Sequence, residues 1–508
     1  MTEAVVIGSG FGGSVTAARL AEAGVNVTLL ERGPWWDTVP TRSMGVEDRT
    51  PFPRHARLFT HSLRSLTLRW TPWGRTRLNR KGLFEVYISK GMEVVCSSGV
   101  GGGSHVYSAL HRRPLSPDYW DGYFDDLSEQ TMAPHYADFI DRVGSSKPDP
   151  ENAPPHTAMQ MYSNHPDFAP VVPQVDVRTG FLFPRDKDNP RLVTTEHGVA
   201  RYETDYSTGD HGFLGAPSGS KSTMDIVYLA PALAQGLTIR ALCEVIAIRR
   251  QADGARRFRV DYMDHDIRKT RSIQTDHVFV GAGTMNTLRL LLESRDKHGG
   301  LSGMPHLGHR FSGNGDIRGF WDLDMDDTDF TQGVPSKGAI HLRDDKWPRI
   351  GIGRNNMPSV SAYPLPGRIR ERLKRGLVVS GMGADSADGV ASIRNGKFHI
   401  EFDPSNSPIY AQIYDTMMEM ARLSGRKIFA GRRPSTVHPM GGACLGPADA
   451  GGVVGPDGQV HDVPGLYVVD AAAFPAPTAA PPTMSIGAWA ENVAARFIKA
   501  HQPPGQAE

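Results

Sequence analysis

Within its first 31 residues the chain runs Ala4-Val5-Val6-Ile7, Gly8-Ser9-Gly10-Phe11-Gly12-Gly13, a helical stretch to Ala23-Gly24, then Val27-Thr28-Leu29-Leu30 and Glu31. A buried strand, a glycine turn, a helix, a second strand and an acid make the frame that binds a dinucleotide. Gly8 permits the tight turn, Gly10 lets the main chain approach a pyrophosphate, and Gly13 lets helix and strand pack closely. The phosphates then meet the positive end of the helix, and Glu31 can accept from adenosine ribose hydroxyls. A bare glycine triplet recurs by chance in ordinary turns. Here the flanking elements are all present, which selects a dinucleotide but neither its identity nor the chemistry.

The remaining bulk properties narrow the class. At 508 residues, two or more lobes are expected. A formal net charge of +1 gives no electrostatic reason for a nucleic-acid partner. The 55 glycines and 38 prolines favour a loop-rich enzyme over a helical bundle. Cys96, Cys243 and Cys444 lie far apart with no CxxC spacing, so reduced thiols are expected rather than a metal site or a disulfide. No apolar run is long enough to span a bilayer, and the first strand begins too early to leave room for a signal peptide. The expected location is the cytoplasm.

Residues 34–84 turn basic and aromatic, with Leu63, Leu66, Leu68, Trp70 and Trp73 among Arg64, Arg69, Arg75 and Arg77. This reads as a solvated excursion with arginine stems over apolar surface, or as a lid in weak contact with a membrane surface. Ser97-Ser98-Gly99-Val100-Gly101-Gly102-Gly103-Ser104 lets the main chain pass close to a flat ligand. His277-Val278-Phe279-Val280-Gly281-Ala282-Gly283, followed by a helix over 286–293, repeats the strand–glycine–helix pattern. Alternating segments between 316 and 430 suit a sheet in a second lobe, Gly465 to Asp470 reads as a buried strand, and Met484 to Phe497 as a terminal helix.

Placed in this order, the motifs resemble those of the glucose–methanol–choline (GMC) flavoprotein family, with the nearest likeness to its bacterial cholesterol oxidase branch. The resemblance runs through Gly8 to Ser14, Gly99 to Ser104, Lys221-Ser222-Thr223-Met224-Asp225, Val280 to Thr284, His438-Pro439-Met440-Gly441-Gly442, Gly465 to Asp470 and Pro482-Thr483-Met484-Ser485-Ile486. It implies an α/β fold, with a Rossmann-like FAD-binding domain and a second, substrate-binding domain built on an antiparallel sheet. The first would take residues 1–33, 85–112, 218–315 and 440–500, the second 113–217 and 316–439, with 34–84 as the lid or excursion. FAD is the implied dinucleotide, held in its ADP half by Gly8, Gly10, Phe11, Gly13, Glu31, Gly281 and the backbone of Val245. Its isoalloxazine would lie against Gly101, Gly103, Ser104 and Tyr107, with Asp470, Thr483 and Met484 at the pyrophosphate, ribitol and pyrimidine end.

The family chemistry is transfer of a hydride from an alcohol carbon to flavin N5 while a histidine takes the hydroxyl proton, and His438 stands at the matching position. One departure is plain. The family places Asn or His before the proline that opens the last helix, whereas this chain has Pro481, which offers neither a side-chain donor nor a backbone N–H. Asn314 and Asn355 are further candidates for the substrate pocket. The implied function is FAD-dependent oxidation of a secondary alcohol on a bulky apolar small molecule, such as a steroid or terpenoid. Pro481 motivates the alternatives: an isomerase or lyase on the same fold, or a degraded FAD-binding protein.

Overall fold

The structure is a computed structural model that describes residues 2–68, 74–153, 171–174, 178–209, 211–252, 256–325, 329–342, 351–355 and 360–501. Five parallel strands form the nucleotide sheet, in the order Thr238–Arg240, Asn26–Leu30, Glu3–Ile7, His277–Val280 and Leu466–Val468. Val5, Val6, Val278, Phe279 and Val468 are all buried, as the near-continuous apolar runs of a parallel sheet covered on both faces require. The helix Phe11–Glu22 lies on one face, packed against the terminal helix Thr483–His501, so both ends of the sequence build one domain. Trp489 fixes the terminal helix by stacking on Trp120 at 5.8 Å and donating from Nε1 to the Val468 carbonyl at 3.0 Å.

The second lobe is a six-stranded antiparallel sheet, in the order Val171–Gln174, Ser336–Leu342, Gly351–Asn355, Gly376–Met382, Ile317–Asp322 and Lys427–Ala430. The helix Pro408–Ser424 covers one face so closely that a Cβ on Gly381 would stand 2.1 Å from Ile413. Ile317, paired with Gly381, shares that covered face. By the period of two, Arg318 and its cross-strand neighbour Ser380 point the other way. The segments Val390–Arg394 and Lys397–Glu401 form a separate hairpin outside this sheet.

Residues 63–68 and 75–77 differ from the solvated excursion that their composition suggests. Leu63–Leu68 and Arg75–Arg77 are strands of a third sheet that continues through Phe84–Ile88 and Glu93–Ser97 to Ser435–Thr436. Arg64 and Arg75 can withdraw from solvent here because acids meet them. Glu85 lies 2.5 Å from Arg32 and 2.8 Å from Arg75, and Glu244 lies 3.0 Å from Arg75 and from His265 and 3.4 Å from Arg64. Arg289 comes within 3.7 Å of Glu244. Burial opposes charge on both acids, but the surrounding guanidiniums, joined at Glu244 by the His265 ring, hold both carboxyls well below the usual range. Arg69, Trp70 and Trp73 lie outside the described residues.

Candidate active site

One cavity of about 560 Å³ runs from the first glycine turn to the exposed face of the six-stranded sheet. Its nucleotide end is lined by Gly8, Gly10, Phe11, Gly12, Glu31, Val245, Gly281 and Asn286. Gly8 has φ +90°, and a Cβ there would sit 2.5 Å from the Gly281 carbonyl oxygen, so the turn needs glycine both for conformation and for space. Gly10 caps the helix with no side chain of its own, which leaves the positive helix end open to the cavity. The second glycine loop closes onto the first: a Cβ on Gly102, at φ +54°, would stand 2.6 Å from the Gly10 Cα.

Glu31 lines the cavity, yet both its oxygens are engaged. Oε2 accepts from the Ser9 amide at 3.0 Å and hydroxyl at 2.8 Å, and Oε1 from the Gly33 amide at 2.8 Å and the Gly99 amide at 3.2 Å. The carboxylate therefore ties the two glycine loops together instead of standing free for ribose hydroxyls. Gly13, Gly101, Ser104 and Met484 are not on the described wall. Gly13 acts by packing, since its Cβ would lie 1.9 Å from the Gly8 carbonyl oxygen. Ser104 braces the loop, donating to the Gly101 carbonyl at 2.6 Å and accepting from the Met224 amide at 2.9 Å. His105 is buried and directed at the Val100 carbonyl, 2.7 Å away, rather than into the cavity.

At the middle of the cavity stand Ser97, Gly103, Tyr107, His438, Asp470 and Thr483. Phe11 meets Tyr107 edge to face at 5.2 Å. Asp470 accepts from the Gly283 amide at 2.8 Å, the Thr287 hydroxyl at 2.5 Å and the Ala472 amide at 2.9 Å, while burial pushes its carboxyl up to about 6. It thus pins the turn after His277–Val280 to the turn after Leu466–Val468.

His438 is held by a network reaching across 122 residues of sequence: its Nδ1 lies 2.8 Å from Asp316 Oδ2. The carboxylate only accepts, so Nδ1 carries the proton and Nε2 is the basic nitrogen. Thr436 braces both groups, donating from Oγ1 to Asp316 Oδ2 at 2.8 Å and accepting from the His438 amide at 2.8 Å. The sequence motif singled out His438, but nothing in it paired that ring with Asp316. The geometry fixes the tautomer of this imidazole and leaves Nε2 free of the Asp316 contact.

The substrate candidates separate. Asn355 and Pro481 line the cavity, together with Leu110, Phe213, Arg318 and Ser380. Asn314 does not. It is fully buried at φ +57°, accepts from the Ala479 amide at 2.8 Å and donates to the Ala480 carbonyl at 2.9 Å. Its amide is consumed in clamping the loop that leads into Pro481, so it shapes the pocket without facing it. Among the described residues no cluster of His, Cys, Asp and Glu could hold a metal ion, and no helix is long and apolar enough to cross a membrane.

The glycine cradle at an uncapped helix end, the second loop packed on it and the length of the cavity fit FAD, whose adenosine and pyrophosphate half needs the same fingerprint as other dinucleotides. Comparison with known proteins agrees. Two GMC oxidoreductase models match residues 195–312 and 382–490, and a model of an NAD(P)-binding Rossmann-like domain matches residues 6–59. A cholesterol oxidase of Mycobacterium tuberculosis (strain ATCC 25618 / H37Rv) is 26% identical, over 97% of this chain and 90% of its own length. A 2-methyl-1,2-propanediol dehydrogenase of Mycolicibacterium austroafricanum is 25% identical, over 96% of this chain and 94% of its own. The crystal structure of pyridoxine 4-oxidase from Mesorbium loti covers 99% of this chain and 100% of that one with a TM-score of 0.63; at 16% identity it speaks to fold alone. The chain carries the two GMC oxidoreductase domains, at residues 195–312 and 382–490, and is an alcohol-oxidising oxidoreductase whose cofactor is FAD.

Proposed function

We propose that the protein oxidises a secondary alcohol on a bulky, largely apolar substrate of steroid or terpenoid type, with His438 as the base. The observation that carries this reading is the His438–Asp316 contact of 2.8 Å on the wall of the nucleotide cavity. An alkoxide expels hydride far more readily than a neutral alcohol, so a base at the hydroxyl lowers the barrier. Nε2 takes the hydroxyl proton, and Asp316 stabilises the imidazolium that forms. Bound FAD supplies the hydride acceptor. Gly8, Gly10, Phe11, Val245 and Gly281 would hold its adenosine and pyrophosphate half, with Gly103, Tyr107, Asp470 and Thr483 around the flavin. Leu110, Phe213, Val378, Met382 and Pro481 give the substrate end an apolar surface. Pro481 adds no donor, so the substrate oxygen depends on His438 for its proton acceptor and on the fit of the substrate body for its position.

Anaerobic mixing of the holoenzyme with a panel of hydroxysteroids tests this reading. The flavin band near ~450 nm should bleach within the turnover time. Product formed while that band stays intact would argue for chemistry without net oxidation.

A further inference from the structure

We propose that Arg318 is a specificity-determining residue and that the substrate alcohol carries an oxyanion, a carboxylate in the first instance, which this guanidinium binds. The proposal deepens the alcohol-oxidation reading and rests on it for the identity of the pocket. Most charged groups on the cavity wall are paired. Glu31 is taken up by Ser9, Gly33 and Gly99, Glu244 by Arg64, Arg75 and His265, Asp316 by His438 and Thr436, and Asp470 by Thr287 and two amides. Of the cations on the wall, Arg32 meets Glu85 and Arg289 meets Asn286 at 2.8 Å. Arg318 alone has no hydrogen-bond or ion-pair partner among the described residues. A half-buried guanidinium left unpaired costs free energy unless water or a ligand meets its donors.

Its surroundings are those of an anion subsite. Arg318 pairs across the sheet with Ser380, which pairs in turn with Gly353. Above Gly353 a Cβ would meet nothing nearer than 3.5 Å, so the wall beside the guanidinium is open. Ser336 and Asn355, paired across the same sheet, add a hydroxyl and an amide to that face. An arginine fork with neutral donors beside it binds a carboxylate in two-point fashion. Arg318 follows Asp316 by two residues of extended chain, about 7 Å, so the oxyanion would sit that order of distance along the sheet from the reacting hydroxyl. Leu110, Phe213, Val378, Met382 and Pro481 on the same cavity wall accept a carbocyclic body. The substrate class is therefore a hydroxylated apolar acid. A sulfate or phosphate ester of the same body shares the chemistry.

The test compares one hydroxysteroid carboxylate with its own methyl ester, which keeps the shape and removes the charge, and with a sulfate conjugate. In wild-type holoenzyme kcat/KM for the acid should exceed that for the ester at least tenfold. Arg318→Gln should abolish that preference, losing tenfold or more on the acid and less than twofold on the ester, while Arg318→Lys retains part of it. The sulfate outperforming the carboxylate would assign the oxyanion to a conjugate. Equal use of acid and ester by the wild type, or equal loss on both in Arg318→Gln, would overturn the proposal. A binding arm keeps it separate from the oxidation reading. The non-oxidisable keto acid, titrated against the flavin spectrum, should bind wild type at least tenfold more tightly than Arg318→Gln. Equal binding contradicts the subsite even where no alcohol is oxidised, and a tenfold gap without flavin bleaching upholds the subsite while the oxidation reading fails.

Discussion

Replacing Asp316 with Asn keeps the size of the side chain but lets an amide donate toward Nδ1, which favours the imidazole tautomer with its proton on Nε2. The lone pair that should accept the substrate proton is then lost. Asp316→Asn is expected to lower kcat by about 10²–10⁴-fold, the range of a positioned general base, while FAD content stays at the wild-type level. Because Asp316 acts through His438, the limb of the pH–rate profile that reports the base should move as well. A purely structural role would change yield and leave that limb in place. At this scale the sequence was informative about one partner of the pair. His438 stood in a recognisable motif, but an acid 122 residues away becomes its partner only through the antiparallel sheet. Asn314 shows the converse. Its motif suggested a pocket residue, yet three groups of the Thr478 to Ala480 loop take up its amide.

The ion cluster beneath the nucleotide end joins six elements: the turn after the strand ending at Leu30, the strands holding Arg64, Arg75, Glu85 and Glu244, and the helix Thr284–Leu292. Glu85 has no exposed side-chain surface and neutralises Arg32 and Arg75 at once. Glu85→Gln leaves buried guanidiniums without their acid and should destabilise the holoenzyme by about 3–5 kcal/mol in urea denaturation. The strands themselves were uneven in legibility. Val278-Phe279-Val280 and Leu466-Tyr467-Val468 read directly, because a parallel strand buried on both faces is apolar throughout. The strands at 63–77 did not, since arginines on a buried strand look like surface until the distant acids Glu85 and Glu244 are brought to them.

For the whole molecule, acid stability is set by groups that shift in opposite directions. Burial, with His501 and Arg257 nearby, lowers the His277 ring to about 4, while burial alone lowers His111 to about 3. Between those values and the ordinary 6.5, the unfolded chain binds more protons than the native one, so this stability is full above 6.5 and is lost as pH falls toward 4. Asp470, raised to about 6, works the other way over roughly pH 4 to 6, because there the native state holds the extra proton. The clean readout is a difference: His277→Phe should flatten the fall in melting temperature between pH 6.5 and 4 relative to wild type, with Asp470 common to both. A fall of equal steepness would remove His277 from the account. The architecture follows from both ends of the chain meeting at one cofactor site, which the opening glycine turn and the closing helix motif already announced. What the sequence left open was the pocket wall, where strand register sets Arg318, without a partner among the described residues, on the cavity face.

We propose His438, held by Asp316, as the base for alcohol oxidation at the FAD site. The most direct test is the anaerobic reductive half-reaction, followed at the flavin band near ~450 nm in wild type and in His438→Asn loaded with FAD to the same extent. A hydroxysteroid should bleach the wild type rapidly and the variant at least about 10²-fold more slowly. Bleaching at an unchanged rate in His438→Asn would contradict this role.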